Sequence, residues 1–176
     1  MGLEIALLRG INVGGNNILP MGQLRALLSE LGAEDARTYI QSGNAAYRGA
    51  LGAEAISAAI LERFGFSPDV ITLPFESFEA VRQNNPFPDV EDQPKALHVF
   101  FLASPSLVDE NILAADKAPE ERFVLTERAL YLHAPKLLSG SRLAERLERR
   151  LGVAATGRNW RTVEKIAEMA RQIEGY

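Results

Sequence analysis

RTYIQSGNAAY, residues 37 to 47, holds two short runs of strand-forming residues on either side of Ser42 and Gly43. It reads as a β-hairpin with strands at 37 to 42 and 44 to 48 and a tight turn at Ser42-Gly43-Asn44. Helices flank it on both sides. Upstream, Pro20 suits the first turn of a helix over 20 to 31, whose apolar stripe is Leu24, Leu27, Leu28 and Leu31 and whose stop is Gly32. Downstream, Ile56, Ile60 and Phe64 mark a helix over 53 to 64 that ends at Gly65. Beyond the helices lie two further strands, at 3 to 9 and at 69 to 73 (DVITL). The order is therefore β-α-β-β-α-β.

A helix at 75 to 84 follows, and then NNPFPDVEDQP, residues 84 to 94, whose three prolines and lack of periodicity read as a linker. The order then repeats. Strands are expected at 97 to 103, 122 to 127, 129 to 134 and 153 to 156, with helices at 106 to 116, 141 to 151 and 160 to 173. The fold class is α+β, with two tandem ferredoxin-like units of antiparallel sheet and a C-terminal helix. The expected domains are residues 1–84, a linker at 85–96, and residues 97–176.

Composition narrows the function classes. Charged residues at 24% and hydrophobic residues at 47% are ordinary for a globular protein. No apolar run approaches the roughly 18 to 20 residues of a membrane span, so no membrane partner and a cytoplasmic location are expected. The absence of cysteine rules out disulfides, thiolate nucleophiles and cysteine-rich zinc sites. Net charge is −4, against a chain that coats nucleic acid, but residues 128 to 176 alone carry +5. Nucleic acid therefore stays as an alternative partner.

Equivalent elements of the two halves are offset unevenly. The first strands lie 94 residues apart and the later ones about 83 to 85, so the first unit has roughly nine extra residues after its first strand. Those residues are RGINVGGNN, 9 to 17. Long β-to-α connections are functional more often than average loops. In a ferredoxin-like sheet this loop should lie beside the turn at Gln41-Ser42-Gly43-Asn44. Both segments lack charge inside and are bracketed by arginines, so the surface should offer amides and arginine forks with no carboxylate. The candidate ligand-binding set is Arg9, Asn12, Gly14, Gly15, Asn17, Gln41, Ser42 and Asn44, with backbone N–H groups at the glycines facing an anion. The loop is neither a P-loop nor a GxGxxG turn.

LLRGINVGGNNILPM at 7 to 21, RTYIQSGNAAY at 37 to 47 and TGRNWRTVEKIAEMA at 156 to 170 together resemble the signature stretches of a bacterial family known as domain of unknown function 1697. The resemblance covers essentially the whole chain and implies a two-unit α+β fold, with no established activity or catalytic residues. Many members have lysine or histidine where this chain has Asn16.

In the third stretch Asn159 is placed to cap the last helix, with Trp160 as its first apolar anchor and Arg158 just outside it. Arg158, Asn159 and Trp160 extend the candidate set, with Arg158 and Arg161 joining Arg9 as an anion clamp. His98 and His133 are expected as cross-strand neighbours, without the further ligands a metal needs, so neither metal nor cofactor is expected. No GxSxG, HExxH or SxxK motif is present, and the third strand NAAYRG has Tyr47 as its only aromatic, unlike an RNA-binding sheet. The resulting order of functions is binding of a phosphate- or carboxylate-bearing small molecule, then a non-enzymatic interaction or homo-oligomerisation module, then a transferase-type enzyme.

Overall fold

The computed structural model describes residues 1–175. The chain divides into two compact units, Met1–Ala80 with Glu164–Tyr176, and Val81–Val163. These dividing points fall outside the proline-rich stretch at 85–96.

The first unit contains β1 (Leu3–Arg9), α1 (Met21–Glu30), β2 (Glu34–Tyr39), β3 (Asn44–Arg48), α2 (Ala53–Phe64) and β4 (Asp69–Pro74), with α3 (Phe75–Gln83) following. The second repeats the order with β5 (Leu97–Leu102), α4 (Glu110–Asp116), β6 (Arg122–Leu125), β7 (Ala129–His133), α5 (Arg142–Leu151) and β8 (Ala155–Asn159), before α6 (Trp160–Glu174). The sheets are antiparallel, in the orders β2-β3-β1-β4 and β6-β7-β5-β8. Each first strand is thus central, paired with the third and fourth strands of its own unit. This is the ferredoxin-like topology expected from the element order, twice over.

Each unit has its own core. In the first, Ala6 and Leu8 of β1 and Ala45 and Tyr47 of β3 face Leu24, Leu27 and Leu28 of α1 and Ile56 and Ile60 of α2. In the second, Leu130 and Leu132 of β7 meet Leu113 of α4 and Leu143, Leu147 and Leu151 of α5. The other face of β1 is also buried, with Ile5 and Leu7 at 0% exposure. That explains why LEIALLR reads as a nearly continuous apolar run instead of an alternating one.

β2, α4 and β8 depart from their expected boundaries, each for a local reason. β2 begins at Glu34 and stops at Tyr39, so the hairpin connection is Ile40–Gly43 and not the turn at Ser42-Gly43-Asn44. The buried amide of Asn44 closes it by donating to the Tyr39 carbonyl at 2.8 Å and to Ser42 Oγ at 3.1 Å. β2 also carries a register irregularity between Glu34 and Arg37, with Asp35 at φ 52. That irregularity hides its first half in the sequence pattern. α4 starts only at Glu110, because the Asp109 side chain caps it by accepting from Asn111 N–H at 2.9 Å. β8 lies at 155 to 159, overlapping the expected 153 to 156 only in its first two residues, and its Gly157 packs against the Phe100 ring: a Cβ there would come within 2.7 Å of it.

Candidate functional site

The extra residues after β1 form a miniature hairpin. Val13 and Asn16 are bridged, with Asn16 N–H donating to the Val13 carbonyl at 3.0 Å, and Asn12 N–H donates to the Asn17 carbonyl at 3.0 Å. Gly14 and Gly15 sit at the tip with φ 57 and 77, both left-handed, as a type I′ turn requires. Asn12 and Asn17 are left-handed too, at φ 53 and 52, and asparagine is the side-chain-bearing residue that tolerates this best. The glycine and asparagine content of RGINVGGNN is therefore first of all a conformational requirement.

The amide side chains fasten this hairpin to the body. Asn12 Nδ2 donates to the Leu19 carbonyl and to the Gln41 carbonyl, both at 2.9 Å, and Asn12 Oδ1 accepts from Leu19 N–H at 2.8 Å. Asn17 Nδ2 donates to the Gly10 carbonyl at 2.9 Å. Gln41 Oε1 also accepts from Asn12, at 3.3 Å. The expected neighbourhood of the loop and the 41 to 44 turn is present, and it is close. Leu8 N–H donates to the Gly43 carbonyl at 2.8 Å, and a Cβ on Gly43 would lie 2.8 Å from Ile11 Cδ1 and from Leu8 Cβ. Asn44 is fully buried. Asn12, Asn17 and Asn44 thus spend their donors on backbone, while Gly14, Gly15 and Gln41 stay exposed.

The surface is not free of carboxylates, as the sequence suggested. Asp69 stands directly across from Arg9 in the β1–β4 ladder. Opposite charges paired this way stabilise a sheet edge and lower the pull of Arg9 on an outside anion. Among its exposed amides the corner also shows three aliphatic side chains: Val13 is 64% exposed, Ile18 54% and Ile40 48%. Sequence pattern alone missed these three, since each stands next to glycine, asparagine or glutamine in a polar stretch.

The remaining candidates lie in the second unit. Arg158 is buried, donates to the Gly157 carbonyl at 2.9 Å and has its guanidinium pushed down to about 10 by burial. Asn159 Oδ1 accepts from Thr162 N–H at 2.9 Å and so caps α6 as expected. Trp160 is buried, and its N–H donates to the Pro94 carbonyl at 3.1 Å.

The histidines are not partners. Leu97 lies opposite His133 and His98 opposite Leu132, so the register is one residue away from pairing them and they point to opposite faces. His98 is held neutral mainly by burial, against a backbone hydrogen bond at Lys95. His133 is lowered by burial and by Arg122, whose Nε donates to His133 Nδ1 at 3.3 Å. Both Nε2 atoms are buried without a hydrogen-bond partner among the described residues. No group of three or more His, Cys, Asp or Glu side chains among those residues could hold a metal.

The basic C-terminal region is largely paired internally. Arg142, Arg146 and Arg150 surround the buried carboxylate of Asp116 at 3.3, 3.1 and 2.8 Å. Their hydrogen bonds and charges, Arg150 first, hold Asp116 below the usual carboxylate range. Arg171 reaches Glu79 and Lys136 reaches Glu120. Tyr47 is fully buried with its hydroxyl donating to the Leu51 carbonyl at 3.0 Å, so it offers no stacking face for a base.

No curated protein matches the chain. In fold it is similar to a solved structure described as a conserved bacterial protein, SP0830, from Streptococcus pneumoniae. The two share 24% identity and a TM-score of 0.69 over 96% of this chain and 98% of that one. The profile of a family described as "Protein of unknown function (DUF1697)" matches residues 1–131, a span that holds β1, the hairpin, the 41 to 44 turn and the first unit's whole sheet. The chain belongs to this family of unknown function.

Proposed function

We propose that the chain is a non-enzymatic binding protein whose contact surface is the hairpin after β1 together with the Ile40–Gly43 connection. The observation that carries this is the exposure of Val13, Ile18 and Ile40 on segments fastened by the Asn12 amide. A rigid mount costs little ordering entropy on binding, and exposed branched aliphatics gain by leaving water. A protein surface supplies the apolar counterpart such a corner needs. Small-anion binding has less support, because the asparagine donors are engaged and Asp69 faces Arg9.

The test compares capture of cellular proteins by wild type, a Val13→Asp/Ile18→Asp double variant and Arg9→Ala, with a thermal-shift series in phosphate, nucleotides and sugar phosphates. Contact through the aliphatic corner predicts a discrete partner retained by wild type and Arg9→Ala, lost with the double variant, and no anion response. Anion-induced stabilisation of wild type that disappears in Arg9→Ala contradicts the proposal.

A further inference from the structure

We infer that the outer edge of β2 takes an extended acidic peptide as an added strand, a second binding site separate from the hairpin corner. β2 ends the sheet order β2-β3-β1-β4, so one side of its backbone pairs with β3 and, among the described residues, the other has no strand beside it. Beside this edge lies a shallow, open depression of about 340 Å³, lined by Arg37, Thr38 and Tyr39 of β2 and by Lys165, Glu168, Met169 and Gln172 of α6. An open strand edge next to a helix is the arrangement in which peptides bind by strand addition, backbone bonds giving affinity and the depression receiving alternate side chains.

Charge identifies the occupant. Arg37 and Thr38 are consecutive, so their side chains leave opposite faces of the sheet. On one face Arg37 donates to the neutral amide oxygen of Gln172 at 3.0 Å; on the other, Arg25 of α1 donates to Thr38 Oγ1 at 2.5 Å. Neither arginine has a carboxylate partner among the described residues, whereas Lys165, in the same depression, is already paired with Glu168 at 2.9 Å. Two guanidinium forks straddle the edge at adjacent positions, each parked on a neutral oxygen that a carboxylate outcompetes. A strand laid against β2 with two consecutive acidic residues presents one carboxylate to each face, and so one to each arginine. The irregularity at Asp35 limits pairing to the regular half of the strand, Arg37 to Tyr39.

The experiment titrates the full chain into a fluorescein-labelled peptide of about eight residues with two central glutamates flanked by valine and threonine, read by anisotropy. Controls are the same peptide with glutamines, and with alternate backbone amides N-methylated. The expected result is saturable binding that weakens about three- to fivefold for Arg37→Gln and again for Arg25→Gln, the size of an exposed charge pair. Binding should be weaker for the glutamine peptide and lost on N-methylation. Both substitutions are at exposed side chains, and circular dichroism checks that the fold is kept. Equal binding of the N-methylated peptide shows charge attraction without strand addition and overturns the inference. So do unchanged affinity in both variants, no binding at all, or a dimer of the chain that buries β2 in its place.

Discussion

Replacing Asn12 by alanine removes the four hydrogen bonds its side chain makes to Leu19 and Gln41, three of them to backbone, and leaves a non-glycine residue without side-chain support at φ 53. Each bond is worth about 1 kcal/mol net and the left-handed backbone about 1 more, so Asn12→Ala should lower unfolding free energy by about 2–4 kcal/mol in urea. Asn12→Asp keeps the acceptor for Leu19 N–H but sets a carboxylate oxygen against the Leu19 and Gln41 carbonyls, so it should not recover the loss. Gly43→Ala combines φ 91 with a Cβ 2.8 Å from Ile11 and Leu8 and should cost about 2–4 kcal/mol in the same assay. The two histidines set a pH dependence. Their folded values lie below 6.5, so the unfolded chain binds protons first. Their contribution is complete above 6.5 and is lost as pH falls from there through the lower folded values. Urea midpoints should fall between pH 7.5 and 5.5, and His98→Gln with His133→Gln should flatten that slope. Loop composition showed where the unusual residues lie but not that three asparagines donate to backbone carbonyls, because φ and donor direction are not written in composition.

At the scale of elements, capping chemistry was legible at the ends of α2 and α6, though not at Asp109, where the sequence pattern starts α4 early. α2 ends at Gly65 in the left-handed conformation expected of it, and Asn159 caps α6. Asn159→Ala should therefore lower stability by about 1 kcal/mol, measured by thermal or urea unfolding. Edge strands were less legible. β2 opens with the exposed, charged Glu34 and Asp35 and bends at Asp35, and β8 (ATGRN) has only one large side chain among its polar and small residues, so neither carries a strand's usual apolar alternation. The one-residue slip in the histidine pairing has a different origin: adjacency of β5 and β7 follows from topology, but no hairpin turn joins them, so their register is set by which faces pack into the core.

Across the whole molecule, the doubled β-α-β-β-α-β order needs two separate cores, and the apolar spacing of the helices was enough to locate both. Leu24→Ala in the first and Leu147→Ala in the second should each cost about 2–5 kcal/mol. Hydrogen exchange should show lost protection in β1 and β3 for the former and in β5 and β7 for the latter. No helix among the described residues is long and apolar enough to cross a membrane. The proposal that the hairpin corner is a protein contact surface is met most directly by photo-crosslinking in cells, with a photoreactive residue placed at Ile18 and, as a control, at the similarly exposed Leu61 of α2. A discrete adduct from position 18 and none from position 61 is the predicted result. Absence of any adduct at 18, or the same adducts at both positions, contradicts it.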